Sequence, residues 1–100
     1  MNPFFDHLAG LLTDEARALG HPLEPATLGG DTSRALLDLT RAIAHGHERR
    51  FGPLGAYLVG ILVGQLRAGG ADLDDATAAA LVDRVAARLG APSQEEPPQP

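Results

Sequence analysis

The chain has 100 residues, 44% of them hydrophobic and 21% charged, and no cysteine; that length holds one small domain of cytoplasmic type and leaves no room for two. Its 13 acids outweigh 8 bases for a net charge of −5, and every base is arginine. Without lysine or cysteine there is no P-loop, Schiff-base nucleophile, thiol catalysis, disulfide framework or zinc finger, and the acidic balance disfavours a nucleic-acid binder.

The first predicted element runs from Pro3 to Leu19. Phe4, Phe5, Leu8, Leu11, Leu12, Ala16 and Leu19 recur at helical spacing, with Asp6, His7, Asp14, Glu15 and Arg17 largely on the other side. Asn2 is a suitable N-cap with Pro3 at N1, and Gly20 followed by Pro22 supplies a left-handed stop. Nothing at this end has the basic stretch and apolar run of a secretory signal.

Breakers crowd His21 to Gly30, where Pro22, Pro25 and the Gly29-Gly30 pair oppose a long regular element. A second helix is expected from Asp31, Thr32 or Ser33, all competent N-caps, through Leu36, Leu37, Leu39 and Ile43 to about His45, with Gly46 at C′. Gly46 to Gly52 reads as a connection, and Pro53 opens a third helix at N1 that continues to about Ala68. This helix is apolar nearly all round, so it is expected to be buried centrally or between subunits. Its most apolar run, Leu54 to Leu66, spans about 20 Å as a helix against a hydrocarbon core of roughly 30 Å. That is too short to cross a membrane, so no membrane partner is expected.

The Gly69-Gly70 pair ends the third helix. Asp72 or Asp74 then caps a fourth, carried by Leu73, Ala76, Ala80, Leu81, Val85 and Leu89 to Gly90. Beyond it, residues 91–100 are rich in proline and glutamate and cannot bury enough apolar surface to fold. The expected fold is all-α: a compact bundle of four main helices over residues 1–90, followed by a disordered tail over 91–100.

Chemistry concentrates in one stretch, His45 to Pro53. It places His45, His47, Arg49 and Arg50 just ahead of a helix N-terminus, where free N–H groups and the helix dipole favour an anion. The commoner meaning of such a stretch, and the one favoured, is that His45 caps the negative end of the second helix while Glu48 and an arginine pair locally in solvent. No metal is expected, because the H-x-H-E order fits no recurrent ligand spacing. The pairs Asp14-Glu15 and Asp74-Asp75 suit a solvated face or helix capping, since sequence neighbours on a helix do not face each other. The two serines, Ser33 and Ser93, lie outside any nucleophile elbow. Neither a catalytic set nor a cofactor is therefore assigned.

Gly60 and Gly64 form a small-x-x-x-small face on the third helix. Close approach by a neighbouring helix of the same domain is its commoner meaning, and a subunit interface is the alternative.

The run Leu36-Leu37-Asp38-Leu39 into Ala44-His45-Gly46, then Glu48-Arg49, Pro53-Leu54 and Tyr57-Leu58-Val59-Gly60, resembles a small helical domain of unknown function from high-GC bacteria. That domain occurs alone or at the C-terminal end of molybdenum-cofactor guanylyltransferases. Ala44 to Gly60 is the most specific portion. The resemblance implies a non-catalytic accessory or interaction domain associated with molybdopterin guanine dinucleotide formation, with such a guanylyltransferase as partner. It transfers no catalytic residues, and His47 and Arg50-Phe51 depart from its more apolar or proline-rich pattern. The alternative is a self-associating helical module, a homodimer, without ligand.

Overall fold

In the computed structural model, which describes residues 3–90, four helices follow one another: α1 (Pro3–Ala18), α2 (Gly30–Gly46), α3 (Phe51–Ala68) and α4 (Asp75–Gly90). There is no strand among the described residues, so the chain is all-α. Asn2 and the expected tail over 91–100 lie outside the described residues.

α1 ends as its sequence requires. Gly20 takes a positive φ of 87°, the His21 N–H donates to Ala16 O at 2.9 Å, and the Gly20 N–H donates to Arg17 O at 2.9 Å. This doubly bonded left-handed stop satisfies carbonyls that a helix end leaves open. α3 ends identically at Gly70, with φ 99° and the Ala71 N–H on Leu66 O.

Boundaries of α2 and α3 differ from expectation, beginning with the start of α2, where Gly29 is the N-cap and none of Asp31, Thr32 and Ser33 is. Gly46 is the last residue of α2 rather than its C′ residue, because the His47 N–H still reaches Ile43 O at 2.9 Å and continues the ladder. α3 begins at Phe51, two residues before Pro53. Proline fits there because the first turn of a helix needs no donor at that position.

α2 begins at Gly30 with Gly29 as N-cap, and no side chain of its own segment caps it. The cap comes from α4. Asp75 accepts the N–H groups of Asp31 and Thr32, each at 2.9 Å, while the Thr32 hydroxyl donates to Asp75 O at 3.2 Å. Its neighbour Asp74 caps α4 itself by accepting the Thr77 N–H at 2.8 Å. Adjacent carboxylates thus start two different helices, and Asp72 starts neither.

The core lies between α2 and α4. Ala35 and Leu39 of α2 are buried against Ala78, Ala79 and Val82 of α4, with Leu36, Ile43, Val59, Leu81 and Ala86 packed around them. Three alanines in the contact let the two backbones approach closely. Outside this core, Arg34 reaches across from α2 to Asp83 of α4 with two hydrogen bonds, at 3.2 and 2.9 Å.

α3 leans on α2 through its own first turns. Gly52 is buried there, and a Cβ on it would stand 3.4 Å from Thr40 O; a Cβ on Gly55 would meet the tip of Ile43. Beyond it Val59, Val63 and Leu66 are only half-buried. Gly52 is the only buried residue of α3, so the expectation of a centrally buried third helix is overturned. An 18-residue helix is also longer than the run read from Leu54 to Leu66. By length and composition α3 is apolar enough to cross a membrane.

α1 has no buried residue. Its Phe5, Leu8 and Leu12 border a hollow of about 300 Å³ shared with Ala26, Thr27 and Leu28. Close packing is concentrated where α2 meets α4 and α3.

Candidate functional site

The turn between α2 and α3 is only four residues, 47–50, and it is tightly wound. The Phe51 N–H donates to Glu48 O at 3.0 Å and the Gly52 N–H to Arg49 O at 3.2 Å, while Pro53 has no N–H to offer. The backbone donors expected at the start of α3 are therefore already used. An anion here would be held by side chains, not by the helix end.

Those side chains separate into three groups. His45 and Arg49 share a shallow cleft of about 560 Å³ between α2 and α3, with Arg41, Thr40, Gly52 and Pro53 also on its walls. His47 lines a second hollow that His45 also borders, with Ala42, Gly46 and Leu89. Arg50 leaves the cleft altogether: its Nε lies 2.8 Å from Glu48 Oε1, and its guanidinium sits 5.9 Å from the centre of the Phe51 ring. His45 stands between the two hollows, with Arg49 in one and His47 in the other, and Arg50 joins neither.

Arg41 takes the place of the missing arginine. It lies one helical turn before His45, and four-residue spacing puts both on one face of α2. That spacing was visible in the sequence and is the signal that finds it. Arg41 is held by Asp38 at 3.2 Å, and Asp38 also accepts Arg34 at 3.0 Å. The Thr40 hydroxyl donates to Leu37 O at 3.0 Å. What remains for a ligand is positive charge in an open cleft. Such a surface can receive a carboxylate or a phosphate from outside.

A second, deeper groove of about 510 Å³ runs beside α3. Val59, Gly60, Val63 and Gly64 form one wall, and Leu28, Leu36 and Ala78 lie opposite. Nothing comes within 4 Å of where a Cβ on Gly60 or Gly64 would stand. The close helix approach expected at these glycines therefore does not occur within the chain; Gly52 and Gly55 serve that purpose instead, at the end of α3 nearer the turn. The polar end of the groove is fixed by Arg67, which donates from Nε and Nη2 to Leu73 O at 3.1 and 2.8 Å.

Electrostatics near this groove serves the fold. Hydrogen bonds from Thr32, and then from the Asp31 N–H, hold Asp75 below the ordinary carboxylate range. The Thr77 N–H does the same for Asp74, and Arg34 for Asp83. Each carboxylate with a depressed pKa is thus accounted for by a cap or a cross-helix pair.

Beyond both grooves lies the feature the sequence did not disclose. Tyr57, Leu58, Ile61 and Leu62 of α3, with Leu11 and Leu12 of α1, remain between 40% and 71% exposed. Periodicity identifies an apolar face; it does not say whether the rest of the chain covers it.

No curated protein and no solved structure matches the chain. A family pattern does match, from the first turn of α1 past the end of α4, and over these residues, 6–97, the chain belongs to DUF6457, a domain of unknown function.

Proposed function

We propose that this chain is a non-catalytic interaction module that docks the apolar faces of α1 and α3 on another protein surface. One observation carries this reading. The large apolar side chains of α1 and α3 lie outside, whereas the buried core consists of three alanines, Leu39 and Val82. So much exposed apolar surface on so small a domain is the mark of an interaction site. The open cleft adds a basic rim of Arg41, His45 and Arg49 that suits an acidic group on the partner.

In its finer form, the partner is a molybdenum-cofactor guanylyltransferase, met in the cytoplasm as an accessory to molybdopterin guanine dinucleotide formation. Support comes from the resemblance in Ala44 to Gly60. That stretch forms the end of α2, the arginine-bearing turn and the first half of α3, which together hold His45 and Arg49 in the cleft and begin the exposed apolar face.

Calorimetric titration of the chain with such a guanylyltransferase tests it. Binding with a negative heat-capacity change is expected for apolar docking, abolished by Leu58→Asp and made less salt-dependent by Arg49→Ala. Absence of binding at low and moderate salt removes the guanylyltransferase. If the chain then shows no association of any kind, the interaction reading goes with it.

A further inference from the structure

The helices divide into a covered pair and an uncovered pair. α2 and α4 hold the buried core between them, while α3 packs on the core with Val59 and on α2 with Gly52 and Gly55, and α1 borders the 26–28 segment. We infer that the occupant of the uncovered faces is a second copy of this chain, with α1 of each copy lying along α3 of the other. The inference rests on the interaction reading above and names its partner.

The two faces match in length, charge and area. α1 has 16 residues and α3 has 18, about 24 and 27 Å at the usual helical rise. α1 carries Asp6, Asp14 and Glu15 against Arg17, whereas residues 48–68 carry Arg49, Arg50 and Arg67 against Glu48. α3 itself carries no carboxylate and one charge, Arg67, so on α3 the acidic α1 avoids the like charges it would meet on another α1. Taking on the order of 200 Å² for each large apolar side chain and the exposures of those on the two helices, leaving Phe4 aside, each chain presents about 1,000 Å². A stable interface of standard size takes about 800 Å² from each partner.

Shape agrees with area. Gly60 and Gly64, one turn apart, leave notches with open space above them in a helix otherwise ridged by leucine, isoleucine and tyrosine. Leu8, Leu11 and Leu12 of α1 are the complementary knobs. A two-fold rotation makes the α1-to-α3 contact twice, so one association covers both faces of both copies.

Because the chain has no cysteine, single replacements report cleanly. The parent is expected to sediment as a dimer. Leu11→Cys and Leu58→Cys, mixed in equal amounts and treated with a short bis-maleimide, should cross-link in the mixture and in neither variant alone. Leu58→Asp should weaken the dimer by roughly thirtyfold while circular dichroism shows the helices retained. Gly60→Leu, whose Cβ would stand in open space, should weaken it as well. Cross-linking by Leu11→Cys alone would place α1 on α1 and overturn the arrangement. So would a dimer that neither Leu58→Asp nor Gly60→Leu weakens. A monomeric parent that binds phosphatidylcholine–phosphatidylglycerol vesicles overturns it in favour of a membrane. If the parent is monomeric yet binds the guanylyltransferase, the second copy falls and the interaction reading stands. If the doubly substituted Leu11→Cys, Leu58→Cys chain cross-links within a monomer, α1 closes on its own α3 and both fall.

Discussion

The Asp75 carboxylate accepts the backbone N–H of Thr32 at 2.9 Å across 43 residues of sequence, so the first residue of α4 caps the first turn of α2. Gly29 completes the arrangement, because a Cβ there would overlap that carboxylate. The two helices that form the core are thereby tied in register at their N-terminal ends.

Asp75→Ala is expected to lower the melting temperature by about 5 °C or more, from the usual worth of an N-cap in a domain this small. Gly29→Ala should cost a comparable amount by displacing the same carboxylate. Since both act through one contact, the double variant should fall short of their sum. Thermal melts of the four proteins by circular dichroism check this; full additivity would separate Gly29 from the cap.

Acid should reveal the same contacts. Asp75, Asp74 and Asp83 bind a proton less readily when folded than when unfolded, by virtue of Thr32, Thr77 and Arg34 respectively. Their stabilisation is complete above the unfolded carboxylate value of about 3.9 and is lost as pH falls through the lower folded values. Urea midpoints should therefore decline below about pH 4. Asp75→Asn should start lower at neutral pH and decline less steeply, so that the two curves approach each other in acid.

Leu39→Ala should cost about 2–5 kcal/mol, and Ala78→Leu about 1–3 kcal/mol by forcing α2 and α4 apart. Leu58→Ala, measured in dilute solution where no partner is engaged, should stay within about 0.5 kcal/mol. Chemical denaturation resolves these differences. Equal losses at Leu39 and Leu58 would mean that α3 is covered in the folded monomer.

The glycines should also diverge. In dilute solution Gly60→Ala and Gly64→Ala should each stabilise by up to about 1 kcal/mol, since a helix gains propensity and nothing stands in the way. Gly70→Ala should destabilise by about 1–2 kcal/mol because its φ of 99° disfavours a side chain. Melting curves of the three variants show the sign directly.

These contrasts mark where the sequence is legible. Helix existence, the left-handed stop at Gly20, the end of α3 at the Gly69-Gly70 pair and a cap on α4 from Asp72 or Asp74 all follow from short-range chemistry, and the structure has them, with Asp74 as the cap. Boundaries at Gly46 and Phe51 slipped by a residue or two because a ladder can continue one bond further, and proline is tolerated in a first turn. The cap on α2 was illegible, since Asp75 is local to α4 and reaches α2 only through the tertiary fold. At the turn, spacing brought His45 and Arg49 to one cleft, but Arg50 found Glu48 and Phe51, which a linear reading cannot rank against a cleft. The fate of α3 was hidden for a further reason. An apolar helix is expected to be covered, and nothing in its own residues says by what.

The core's confinement to α2 and α4 has an evolutionary consequence. Ala35, Leu39, Ala78 and Val82 determine whether the chain folds, and none of them lies on the helices that face outward. Substitutions along α1 and the outer side of α3 are thus nearly free of folding cost. A lineage can retune what this surface recognises, residue by residue, without first acquiring compensating changes inside.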